Sequence, residues 1–64
     1  MKAYIVMQAI RKTNKNAKLK IFVNDVYKMT CEAWAGSTLC SFGCMTLKKR
    51  YWNSENEMVL ELIN

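Results

Sequence analysis

The uncharged run AWAGSTLCSFGCMTL, residues 33–47, is the stretch on which the reading of the fold turns. Glu32 precedes it, and Lys48, Lys49 and Arg50 follow it. No other part of the chain goes so long without a charge, so this run is expected to be buried. Val26, Met29, Ala33, Gly36, Cys40 and Cys44 recur at three- and four-residue steps, the spacing of one helix face. Asn24 and Asp25 stand just ahead as suitable N-caps, and an acid there suits the positive end of the helix dipole. Gly36 in mid-helix costs about 1 kcal/mol relative to alanine. The helix is therefore expected to end in a glycine cap, at Gly36 or, in preference, at Gly43.

Outward from this run, the flanks read as strands. Residues 3–10 (AYIVMQAI) carry β-branched and aromatic types with apolar side chains on both faces, which predicts an inner strand. Residues 11–16 (RKTNKN) form a polar turn. Residues 17–23 alternate, with Ala17, Leu19, Ile21 and Val23 on one face and Lys18, Lys20 and Phe22 on the other. Near the C-terminus, Thr46–Trp52 and Glu57–Ile63 flank the turn-forming NSEN and read as a second hairpin. The alternative is a helix through residues 48–52. The expected architecture is α+β in one domain, 1–64: a small antiparallel sheet, β-β-α-β-β or β-β-α-β, with one helix packed on one face.

Composition narrows the function classes. Sixty-four residues bury a modest core, worth roughly 3–5 kcal/mol net. The hydrophobic fraction of 52% argues against global disorder. Three cysteines, no histidine and no secretory h-region near residue 1 point to a reducing, cytoplasmic setting. Cys40 and Cys44 share a predicted helix face, yet a zinc site wants four ligands in close pairs. They read as small buried hydrophobes, so neither a metal nor another cofactor is expected. Trp34 is expected to flank the core. The uncharged run has fifteen residues, against the 20 or so that a membrane span needs, so a core helix is the reading. Most of the five acids fall at a cap, in a turn or on faces expected to be exposed. No nucleophile–base pair or phosphate loop accompanies them, so the chain is read as a non-enzyme.

The net charge of +5 predicts attraction to acidic surfaces. The exposed sheet face is expected to show Lys18, Lys20 and Phe22 on one strand and Lys48, Arg50 and Trp52 on another, with Lys12 and Lys15 extending it from the loop. Basic residues interleaved with aromatics suit an acidic protein partner, with Trp52 as the anchor. They also suit nucleic acid, through phosphate contacts and base stacking. In size, element order and lack of catalytic groups, the chain looks like the general type of small phage-encoded proteins that bind and inhibit a host factor. That likeness implies an inhibitor or adaptor; the exposed edge of so small a sheet separately leaves the chain a monomer or a homodimer.

Overall fold

A computed structural model describes residues 1–32 and 41–64. Helix α1 (Ala3–Thr13) is followed by β1 (Lys18–Val23), β2 (Val26–Glu32), β3 (Thr46–Trp52) and β4 (Glu57–Ile63). The four strands form one sheet in the order β2-β1-β4-β3. β1/β2 and β3/β4 are antiparallel pairs, and β1 and β4 join them in parallel. The α+β class and the helix layer on one sheet face are as expected. The sheet, however, is mixed rather than wholly antiparallel, and α1 precedes the strands.

The predicted strand over residues 3–10 is thus a helix. Its apolar residues satisfy two periods at once, and the helical one wins. Ala3, Val6, Met7 and Ile10 follow i, i+3, i+4, i+7, and these are the four side chains that α1 buries. Tyr4, Ile5, Gln8 and Ala9 face outward. Lys2, at the N-cap, makes no side-chain cap. The backbone of 43–45 does that work instead: the amide of Ala3 donates to the Met45 carbonyl at 2.9 Å, and that of Tyr4 to the Gly43 carbonyl at 3.0 Å. Two of the amides that any helix leaves over are so satisfied by a distant segment. At the other end, Arg11 and Lys12 lie in the last turn, where cations suit the negative pole.

Asn24 and Asp25 are also not helix caps. Both have positive φ, 51° and 68°, and form the two-residue turn between β1 and β2. Positive φ at both central positions is the turn whose twist matches a hairpin, and Asn and Asp tolerate it. Asn24 is held by two further bonds: its amide donates to the Leu62 carbonyl, and its Oδ1 accepts from the Asn64 amide.

The predicted helix from Val26 is, over Val26–Glu32, the strand β2. A β-bulge explains the misleading period. Ile21 pairs with Met29 and Phe22 with Tyr27, so Lys28 is an extra residue. Val26 and Met29, three apart, then fall on the same sheet face, as they would on a helix. Trp34, Gly36 and Cys40 lie outside the described residues, so the expected cap at Gly36 and the helix over 33–40 do too. Residues 41–42 are helical and the chain turns at 43–44, but Gly43 does not have the positive φ of a glycine cap.

The core lies between α1 and the two central strands. Leu19, Ile21 and Val23 of β1 stand beside Met58, Leu60 and Leu62 of β4, pair by pair. All six are buried with the inward face of α1, and Phe42, Met45, Leu47 and Cys31 pack around them. Leu60→Ala is expected to lower stability by about 3 kcal/mol, most of what so small a core supplies. Asp25→Val, which forces a β-branched side chain into positive φ, is expected to cost about 1–2 kcal/mol, while Asp25→Gly costs nothing. Urea midpoints of the three variants test both the core and the turn.

Candidate interaction surface

The sheet face opposite α1 is the candidate site. Strand alternation fixes what it shows. On β1 it presents Lys18, Lys20 and Phe22, the alternates of the buried Leu19, Ile21 and Val23. Register then sets three rows across the sheet. Tyr27, Phe22, Glu61 and Lys49 form one; Thr30, Lys20, Val59 and Tyr51 form the next; Glu32, Lys18 and Glu57 form the third.

Aromatic and cationic groups interlock within these rows. The rings of Phe22 and Tyr27 meet edge to face, with centroids 5.6 Å apart and planes at 64°. The Lys20 ammonium lies 5.9 Å from the Phe22 centroid and 5.7 Å from that of Tyr27. Lys49 sits 5.3 Å from the centroid of Tyr51. These are cation–π distances, and they hold two long side chains down over the sheet. Between Lys20 and Tyr51 in register, Val59 is only 3% exposed although no element of the described chain covers it. Tyr27 Oη lies 2.9 Å from Thr30 Oγ1, which fixes the ring on its edge strand. At the rim, Asn53 Nδ2 donates to Glu57 Oε1 at 2.7 Å.

Charge on this face is balanced. Lys18, Lys20 and Lys49 are matched by Glu32, Glu57 and Glu61, and Lys18 has a glutamate opposite it on each neighbouring strand. The remaining seven cations and two carboxylates stand elsewhere and carry the entire +5.

The predicted site residues therefore separate. Lys18, Lys20 and Phe22 share the open face as expected. Lys48, Arg50 and Trp52 do not join them. Leu47 pairs with Leu62 and Lys49 with Glu61, so Lys48 is the extra residue of a second bulge. Past it, the parity of β3 inverts. Arg50 stands opposite Leu60 and Trp52 opposite Met58, on the side of α1. Lys48 instead reaches Asp25 at 3.5 Å, an exposed ion pair of little energetic weight. Lys12 and Lys15 lie at the far end of α1, beside Gln8 and Arg11. The sequence reading missed Tyr27, Lys49 and Tyr51. The adjacent Tyr51–Trp52 pair signalled an aromatic at this site, but only the bulge decides which of the two faces outward.

Among the described residues, no three His, Cys, Asp or Glu side chains gather as a metal site would require, and no helix is long and apolar enough to cross a membrane. Cys31 and Cys44 are free thiols. Comparison with protein-family models, curated proteins and solved structures finds no match to this chain.

A double-mutant cycle on Phe22→Ala and Tyr27→Ala is expected to return a coupling of about 0.5–1.5 kcal/mol from unfolding free energies. Strict additivity would mean that the two rings do not support each other.

Proposed function

We propose that this chain is a non-enzymatic cytoplasmic binding protein, an inhibitor or adaptor, that docks the open sheet face on another protein of overall acidic charge. The observation that carries this reading is a sheet face, covered by no element among the described residues, that bears Phe22, Tyr27 and Tyr51 with two lysines laid against their rings. Aromatic side chains give large contact area at low entropic cost, and interfaces concentrate their binding energy there. Lys18, Lys20 and Lys49 supply donors for partner carboxylates, and the +5 charge accelerates the encounter. Glu32, Glu57 and Glu61 leave this face without net charge, which suits a protein surface that presents cations as well as carboxylates rather than a uniformly anionic phosphate backbone. Cys31 and Cys44, free thiols among the described residues, fit a reducing compartment.

Capture from lysate with four immobilised baits tests the reading: the unaltered chain, Tyr27→Ala/Tyr51→Ala, Lys20→Glu/Lys49→Glu, and Trp52→Ala. A protein held by the unaltered chain and by Trp52→Ala, but lost from the two open-face variants, is the expected result. It is expected to stay bound at 300 mM salt, since aromatic contacts are not screened. Retention independent of the open face, or capture of no protein, would overturn the proposal.

A further inference from the structure

The open face accounts for none of the net charge, and three of the seven cations that carry it stand together. From residue 1 to residue 24 the chain has no carboxylate; Asp25 is its first acid. Within that span, Arg11 and Lys12 at the end of α1 and Lys15 in the following loop are exposed, and with Gln8 they line a groove. Gln8, Arg11 and Lys12 stand at i, i+3 and i+4, one face of the helix. Lys15 prolongs that line beyond the helix end. The groove lies on the α1 side of the molecule, away from the interlocked rings of the open face.

We infer that this groove binds the sugar–phosphate backbone of nucleic acid, a second binding function independent of the open face. Three cations with no carboxylate on α1 to offset them attract a polyanion. Arg11 can grip a phosphate through two parallel N–H donors, while the lysines act as point charges. Gln8 adds a neutral donor of the kind that fixes a backbone in place. The concave shape favours a ridge such as a phosphate strand over a flat bilayer. A cationic surface engaging about three phosphates gives a log–log salt slope near −2.7, or roughly a 40-fold loss of affinity between 50 and 200 mM salt.

The test is fluorescence anisotropy of labelled 20-bp DNA and 20-nucleotide RNA with the full chain, at 50 and 200 mM salt. Vesicles of phosphatidylserine and phosphatidylcholine form the lipid arm. Expected are roughly micromolar binding to at least one nucleic acid at 50 mM salt and the steep loss at 200 mM. Arg11→Gln/Lys12→Gln/Lys15→Gln should weaken binding more than tenfold and flatten the slope. The control Lys18→Gln/Lys20→Gln/Lys49→Gln removes the same charge from the open face and should change affinity less than threefold. Circular dichroism verifies that each variant is folded. The single variant Arg11→Gln, expected to reduce the slope by about one, is the readout if the triple variant does not fold. No binding at 50 mM salt, equal losses in the two triple variants, or vesicle binding as tight as nucleic-acid binding would each overturn the inference. None of these outcomes touches the capture result for the open face, so the two functions fail or stand separately.

Discussion

The parallel pairing of β1 with β4 is the constraint on which the rest of this structure depends. Each hairpin is a local object: β1 turns into β2 through Asn24 and Asp25, and β3 into β4 through residues 53–56. A lone hairpin is at best marginally stable in water. Pairing Leu19 with Met58, Ile21 with Leu60 and Val23 with Leu62 turns two hairpins into one four-stranded sheet and creates the apolar strip that α1 covers. The chain must close a long loop before this contact forms, an entropy that local contacts do not offset. The apolar density of β1 and β4 is what offsets it.

This closure also explains why α1 is tied at its start by carbonyls of 43–45 and at its end by the short loop into β1. The helix runs from the beginning of β3 to the beginning of β1, so it spans both hairpins rather than decorating one. Its position in the sequence, ahead of every strand, is no obstacle, because the face it needs exists only once both hairpins have met.

How much of this was legible in the chain follows from the bulges. β1, β3 and β4, the turn over residues 53–56 and the layer of helix on sheet follow from alternation and turn residues; the turn at Asn24 and Asp25 does not, because the same two residues also suit a helix cap. β2 and the split of the predicted site do not. Each edge strand carries one extra residue, Lys28 or Lys48, and each insertion inverts the parity beyond it. On β2 the inversion sets Val26 and Met29 on one face at a spacing of three, which imitates a helix. On β3 it carries Arg50 and Trp52 to the α1 side and turns Lys49 and Tyr51 outward. Period-counting assumes a constant period, and a bulge is a change of phase that leaves composition untouched. For α1 the failure differed: Ala3, Val6, Met7 and Ile10 fit a helix, yet residues 3–10 also hold enough β-branched and aromatic types to suit a strand. Tertiary packing chose between them.

The same phase changes decide where charge resides. Had β3 kept its parity, Lys48, Arg50 and Trp52 would have joined Lys18, Lys20 and Phe22, and the open face would have been strongly basic. With Lys49 and Tyr51 outward instead, that face carries three cations against three carboxylates, and its character comes from its rings. Aromatic contact without net charge is selective but slow to find a partner, and charge without rings finds partners quickly but discriminates poorly. Two bulges in edge strands thus separate the two properties onto different sides of one small sheet. On the two functions proposed above, the ring-bearing face supplies selectivity and the basic groove supplies attraction, without either compromising the other.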